Sequence, residues 1–327
     1  MKKVLFVSNR SNISTGSYRI WVNDLNKYFN SIGIPSKIKD HSDNIEEYDI
    51  IICSKSDVDS AVNIKKKYPH LLVGVINLAA DKLNLPIDFI ITGSLEEMDS
   101  LSSYENVFLF PLIEKIYNNM PIKKHIDRQI IRLGFHGSHT HLAKFNPNLK
   151  SALEELDNKI NMELLIVTSD PNFRWEIGKP NIKNIIVKKW DINSVATDLL
   201  SCDIGLVPNI STIKVNDYRT SKNEGLYNTD YILRMKNKSN AGRAFVFHQL
   251  GIPIVADLTP SHFHILGNPD CGFIASSKNG WKKSILKLLD VNKRNCIALE
   301  AKKEFNRLYN PLIWAKKLYN NIGELYV

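Results

Sequence analysis

The stretch Lys236–Asp257 reads KNKSNAGRAFVFHQLGIPIVAD. Ser239 or Asn240 suits an N-cap, because a short side-chain oxygen can take a free N–H of the first turn. Gly251 suits the left-handed position just past a helix end, and Pro253 cannot continue a helix. The pattern predicts a helix over Asn240–Leu250. Ala241, Ala244, Phe245, Phe247 and Leu250 make it apolar on most sides, as in a helix covered all round. The apolar run Ile252–Ala256 follows as a strand. A covered helix leading into a continuous apolar strand implies a parallel sheet with both faces buried.

The same alternation runs outward in both directions. Upstream, strands are expected at Val4–Val7, Ser36–Lys39, Tyr48–Cys53, Leu71–Asn77, Asp88–Thr92 and Asn106–Pro111. Helical spacing appears at Ile20, Leu25, Tyr28, Phe29 and Ile32, with Gly33 as its stop, and again over Val58–Lys67 and Leu95–Tyr104. NNMPIKKHIDR, Asn118–Arg128, is polar, basic and carries a proline, and reads as a linker. A second alternation follows. Its strands are Ile130–Phe135, Met162–Thr168, Asn184–Val187 and Asp203–Val207, and its helices Asn148–Asp157 and Ser194–Ser201. Residues 209–237 are polar and aperiodic, and so long a loop in a compact domain is usually functional or mobile. After Asp257 come a helical turn near His262–Leu266, a strand at Gly272–Ala275, a helix over Gly280–Asp290 and a helical tail, Lys293–Tyr326, broken at Asn310-Pro311. The expectation is two doubly wound α/β domains, with ligands at the carboxyl ends of the strands and in the cleft between the domains.

The 327 residues suit about two domains. Lys plus Arg number 43 against 34 Asp plus Glu, a formal charge of +9 that favours anionic partners. The basic residues are spread along the chain and no nucleic-acid motif appears, so nucleic acid is not the expected partner. No apolar run approaches a membrane span, and Val4–Val7 is too short for a signal-peptide core. Four scattered cysteines without a CxxC pair suit reduced thiols and a cytoplasmic location.

Four stretches carry chemistry. At the head of the opening helix, Lys238 and Arg243 would flank an N-terminus bearing about half a positive charge, and Gly242 would let a ligand approach the backbone. Two cations and a dipole at one point suit a diphosphate, while the plainer reading is a solvated helix start. In IIRLGFHGSHTHLAKF a strand ends in Gly137-Ser138, whose amides could face phosphate. His136, His139 and His141 follow closely. Their spacing fits neither one helical face nor a zinc finger, so a polar lining is the better reading than a metal site. SNRSNISTGSYRIW supplies Thr15, Gly16 and Ser17 ahead of a helix, with Arg19 in reach of an anion; it lacks GxGxxG and also reads as an ordinary capped loop. Asp81, in VINLAADKLN, lies just past a strand end and reads either as a capping residue or as a catalytic carboxylate.

Together these stretches resemble the GT-B glycosyltransferases, in particular the large group-one family of bacterial surface-polysaccharide type. IIRLGFHGSHTHL is similar to the family's IGWxGSPSHL, and DIGLVPN to its DIGLxPL. KSNAGRAFVFHQLGIPIVADLTPSHFHILGNPDCGFIASSKNGWKKSILKLL is similar to its Kxx(K/R)…YMAxGxPVVA…NGFLA…EW…LL run. VINLAADKLN and DFIITGSLEEM match the first domain more loosely. The resemblance implies two Rossmann-like domains facing across a cleft. Residues 1–127 would form the acceptor side and 128–305 the nucleotide-sugar side, with 306–327 crossing back as a helix.

It also implies roles. Lys238 and Arg243 would hold the donor diphosphate with Ser239 and Asn240, and Gly137 and Ser138 would approach from the other side. Residues near Val187–Trp190 and Pro208 would border the base. Thr15, Gly16, Ser17, Arg19 and Asp81 would face the acceptor, with Asp81 or His139 as the base if the reaction inverts. No cofactor and no metal are implied, because cations and the helix dipole meet the leaving diphosphate. The family's glutamate pair falls here on Lys238 and Val246, so the donor goes unnamed and retention is a lean. The expected activity is sugar transfer from a nucleotide sugar to a glycan or glycolipid of surface polysaccharide or lipooligosaccharide synthesis. Lys65–Lys67 suggest peripheral contact with an anionic membrane. A two-lobed small-ligand-binding protein and a nucleotide-sugar epimerase are the alternatives.

Overall fold

The computed structural model describes residues 1–78, 84–101, 103–143, 145–176, 178–213, 232–235 and 240–326. They fall into two compact units. The first is Met1–Asn119 with Asn240–Phe245 and Phe305–Val327; the second is Met120–Ser239 with Val246–Glu304.

The first unit holds six parallel strands: β1 (Val4–Val7), β2 (Ser36–Ile38), β3 (Ile50–Cys53), β4 (Leu72–Ile76), β5 (Phe89–Thr92) and β6 (Val107–Leu109). Their order is β2-β1-β3-β4-β5-β6. The central strands β1, β3, β4 and β5 are buried along their whole length and almost wholly apolar, because both faces are covered. Val4, Phe6, Ile50, Ile52, Phe89 and Ile91 pack with Phe29, Leu318 and Ile322 on one face. Leu5, Val7, Ile51, Cys53, Val73 and Ile90 pack with Val58, Ala61 and Ile64 on the other. The period of two along each strand sorts the residues between the two cores. The helix Pro311–Gly323 supplies Leu318 and Ile322, so the C-terminal segment belongs to this unit.

One helix departs from the expected form. It starts as Gly16–Tyr18, widens to a π-helix over Arg19–Asp24, and resumes as Leu25–Ser31. Ile20 and Leu25 are five residues apart, a step that α-helical spacing does not repeat but a π turn does. The widening lets Arg19, Ile20, Trp21 and Val22 all be buried in succession.

The second unit contains β7 (Ile131–His136), β8 (Met162–Thr168), β9 (Ile185–Lys189), β10 (Ile204–Val207), β11 (Ile210–Ile213), β12 (Ile232–Met235), β13 (Ile254–Asp257) and β14 (Phe273–Ala275). Six of these form a parallel sheet in the order β14-β13-β10-β7-β8-β9. On one face Leu133, Phe135, Leu164, Ile166 and Leu206 pack with Leu149, Leu153 and Trp281. On the other, two glycines make room for an aromatic ring. A Cβ on Gly205 would lie 2.6 Å from the Phe247 ring, and one on Gly134 would lie 2.5 Å from Cys202 Sγ. That ring is carried by the helix Gly242–Leu250. The helix is apolar all round as expected: Ala244, Val246, Phe247 and Leu250 are fully buried.

The expected linker does not run free. The opening segment of the first unit ends at Asn119, earlier than residue 127. Lys123 reaches the Cys202 carbonyl, and His125 Nε2 lies 2.9 Å from the Gly251 oxygen, so this strap belongs to the second unit. The long polar segment is also not without structure at its ends. β11 and β12 pair antiparallel, Ile210 with Met235 through Ile213 with Ile232, where ISTI and ILRM supply strand-forming residues. Among the described residues no helix is long and apolar enough to cross a membrane.

Candidate functional site

Each sheet has one place where neighbouring strands send their connections to opposite sides, and ligands of open α/β sheets bind at the carboxyl edge there. In the second unit it lies between β7 and β10. β7 ends at His136, which is 5% exposed and packs edge-on against Phe247 with centroids 5.0 Å apart. Gly137 has a φ of +126°, a conformation that side chains with a Cβ rarely adopt. Its N–H donates to the Val167 carbonyl at 3.0 Å, which fixes the turn to the sheet. Ser138 is exposed, and its Oγ accepts the Thr140 N–H at 3.3 Å to open the short helix Thr140–Ala143. His139 is half-buried, stacks on Phe173 at 6.3 Å, and has a buried Nδ1 without a hydrogen-bond partner. Two of the three clustered histidines, His136 and His139, are thus engaged in ring packing. Among the described residues no three His, Cys, Asp or Glu side chains gather as a metal-binding group.

At the β10 side of this edge stands a network that the sequence reading missed. Asp257 is fully buried at the end of β13. One carboxylate oxygen accepts the Asn209 N–H at 2.7 Å, and the other accepts Asn146 Nδ2 at 2.8 Å. His262 Nδ1 lies 2.8 Å from the Asp257 carbonyl and must be the donor. Its Nε2 is then free to accept from Asn209 Nδ2 at 3.2 Å. Burying a charge costs several kcal/mol unless donors meet it, and here the Asn209 N–H and the Asn146 amide do so. The signal in the sequence is an Asp closing an apolar strand, IVAD, but its partners lie far away in the chain.

At the head of helix Gly242–Leu250, Asn240 Oδ1 accepts the Gly242 N–H at 3.1 Å, the turn expected of it. Arg243 sits in the first turn and is only 8% exposed. Lys238 and Ser239 lie outside the described residues, as does Asp81. Just before Asp81, Asn77 leaves β4 with a φ of +55°.

In the first unit the corresponding place lies between β1 and β3. Thr15 accepts the Arg19 N–H on its carbonyl at 2.9 Å, and Gly16 and Ser17 begin the helix. Arg19 does not face solvent. It is 3% exposed, with Nη2 2.6 Å from Glu114 Oε2 and Nη1 donating to the Ile13 carbonyl at 2.9 Å. Burial raises the Glu114 carboxyl above its usual range, and the Arg19 charge opposes that rise. Asp57, 2% exposed, ties the loops after β1 and β3 together. It accepts the Asn9 N–H at 3.2 Å, Ser54 Oγ at 2.5 Å and Ser56 Oγ at 3.0 Å. Two hollows flank these loops. One, of about 510 Å³, lies beside Ser8, Asn9, Lys39, His41 and Asn63. The other, of about 230 Å³, lies beside Arg10, Tyr18, Trp21, Ser54 and Lys55. Of Lys65–Lys67, Lys65 turns inward to Asp88 at 2.8 Å.

No family model matches the chain, and no curated protein matches it by sequence. Solved structures do. The chain is similar to HepE of Anabaena, solved in complex with UDP and glucose, with a TM-score of 0.68 at 10% identity over 99% of this chain and 100% of that one. It is similar to a glycosyltransferase from Rickettsia africae, with a TM-score of 0.66 at 12% identity over 99% of this chain and 98% of that one. Against S. aureus TarM the TM-score is 0.61 at 12% identity, over 84% of this chain and 55% of TarM, so the chain spans about half of TarM's length.

The fold is GT-B. The two strand orders are those expected of its paired doubly wound domains, and β9-β8-β7-β10-β13-β14 is the dinucleotide-fold order in the second unit. Gly137 and Ser138 form the turn after β7, at the carboxyl edge of this sheet.

Proposed function

We propose that this chain transfers a sugar from a nucleotide-sugar donor to a glycan or glycolipid acceptor, in surface polysaccharide or lipooligosaccharide synthesis and with retention. The observation that carries the reading is the end-to-end likeness to a protein solved with UDP and glucose. The donor site is assigned to Gly137, Ser138, Lys238, Ser239, Asn240 and Arg243. The acceptor side is assigned to Thr15, Gly16 and Ser17, with Arg19 holding that loop through Glu114 and Ile13.

The difficult step is departure of the nucleoside diphosphate from the anomeric carbon. Negative charge grows on the leaving phosphate oxygen, and fixed donors aimed at it are the largest catalytic term in such a site. Lys238, Arg243 and the N–H groups opening helix Gly242–Leu250 supply them, and no metal is needed. Arg243 is held by burial and so loses little freedom on binding. If the product is inverted, Asp81 or His139 is the base that takes the acceptor proton.

Isothermal titration with UDP, GDP, ADP and CMP tests this reading. One nucleotide should bind, and Arg243→Ala and Lys238→Ala should each weaken it by about tenfold or more, the loss of one charge-assisted hydrogen bond. Unchanged affinity in both variants removes the donor-site assignment.

A further inference from the structure

The outer side of the C-terminal helix combines apolar and basic groups that the fold itself does not use. Helix Pro311–Gly323 turns Ala315, Leu318 and Ile322 into the core of the first unit. Ile313, Lys316 and Lys317 stand at i, i+3 and i+4 and share the outward side. Ile313 is 64% exposed, and Leu312 beside it 40%. Helix Leu25–Ser31 packs alongside, with the Phe29 and Tyr319 rings 6.1 Å apart, and adds the exposed Lys27. Lys115 is exposed too, its ammonium 5.6 Å over the Tyr28 ring of that helix. Among the described residues none of these lysines forms an ion pair. Neither helix carries an Asp or Glu. Asp24, just before the first, is buried, and Glu114, just before Lys115, holds Arg19. Uncompensated lysines attract any polyanion, but the apolar pair narrows the choice. Lipid phosphates answer the lysines and acyl chains take Ile313 and Leu312, which a soluble polyanion would leave in water. Trp314 is half-buried beside them. Its N–H donates to the Leu308 carbonyl at 2.7 Å and Lys317 lies 5.2 Å over its ring, the mixed surroundings that tryptophan takes at a membrane interface. The run Lys65–Lys67 offers less: Lys65 pairs with Asp88 at 2.8 Å, and no large apolar side chain is exposed on its helix.

We propose that this face of the first unit docks on an anionic lipid surface. Ile313 and Leu312 enter at headgroup depth, and Lys27, Lys115, Lys316 and Lys317 meet the lipid phosphates. The lysine stems lie along the apolar boundary while their ammonium groups stay at the charged layer. The face includes no residue assigned to donor or acceptor, so its loss leaves nucleotide binding intact.

The test is flotation of the full chain with two kinds of vesicle, phosphatidylcholine alone and an equal mixture of phosphatidylcholine and phosphatidylglycerol. The chain should partition at least about tenfold more strongly to the mixed vesicles, and added salt should release it. Lys316→Gln/Lys317→Gln should weaken that partition about thirtyfold, roughly fivefold for each lysine. Ile313→Asn should weaken it about tenfold through the lost apolar side chain. Both variants change exposed positions, and unchanged thermal melts show that they fold. Lys66→Gln/Lys67→Gln should partition as the wild type does. Equal partition to the two kinds of vesicle overturns the proposal, and so does unchanged partition of the Lys316/Lys317 variant. Full partition of Ile313→Asn, with the lysine variant weakened, marks a patch for soluble polyanions and overturns the lipid assignment.

Discussion

His125 should make the second unit sensitive to mild acid. Its ring is 2% exposed, Nε2 donates to the Gly251 carbonyl at 2.9 Å, and the buried Nδ1 has no partner. A second proton would go on Nδ1, away from water and beside Lys123 and Arg294. Burial, helped by those two cations and opposed by the Gly251 bond, pushes the pKa down to about 4 from an ordinary 6.5. The folded state therefore stays neutral where the unfolded chain already binds a proton, and stability falls as pH drops through that window. Between about pH 7 and pH 5 the loss from this one group is about 2 kcal/mol, at roughly 1.4 kcal/mol per pH unit once the unfolded histidine titrates. His125→Gln can keep an N–H aimed at Gly251 while removing the titration. Urea unfolding of wild type and variant at both pH values, followed by circular dichroism and tryptophan fluorescence, isolates the term. His248, pushed down to about 3 by burial, titrates in both proteins and cancels. Wild type should lose about 2 kcal/mol more than the variant on acidification. Equal losses refute the reasoning.

Two further substitutions probe the frame. Glu114→Ala strands the Arg19 guanidinium, which is 3% exposed, and should lower stability by about 3 kcal/mol in thermal melts. Arg19→Met/Glu114→Leu should recover most of it, and a single variant as stable as wild type would show the pair to be idle. Gly205→Ala drives a Cβ to 2.6 Å from the Phe247 ring and should cost about 1–3 kcal/mol by overpacking. Adding Phe247→Leu should restore part of that loss, whereas an additive second loss would place the strain elsewhere.

Much of the fold was legible because apolar strands buried on both faces leave an unbroken signal. Val58–Lys67 and Met162–Thr168 were bounded to the residue, and the covered helix after Asn240 appeared where its caps put it. The misses have physical causes. The π turn over Arg19–Asp24 hides in spacing that looks merely imperfect. The strap holding Lys123 and His125 looks like a linker, because polar residues buried by distant carbonyls read the same as solvated ones. Arg19 read as an anion binder for the same reason: nothing near it in sequence announces Glu114, whose bond spans 95 positions.

Of the candidate site, the loops were legible in the sequence and the side-chain network behind them was not. The turn after β7, the loop after β1 and the head of helix Gly242–Leu250 each follow from the rule that ligands meet the carboxyl ends of parallel strands. What holds them there does not follow. Asp57, in the loop after β3, and Asp257, at the end of β13, do similar work: each is a buried carboxylate that grips a backbone N–H 48 residues earlier, Asn9 in one case and Asn209 in the other. Neither stands in a motif, since a lone Asp after an apolar run caps many loops without burial. A loop gripped from below is fixed before any ligand arrives, which is what a preorganised site requires. A loop fixed by a buried carboxylate therefore recurs in each unit, at Asn9 in one and at Asn209 in the other.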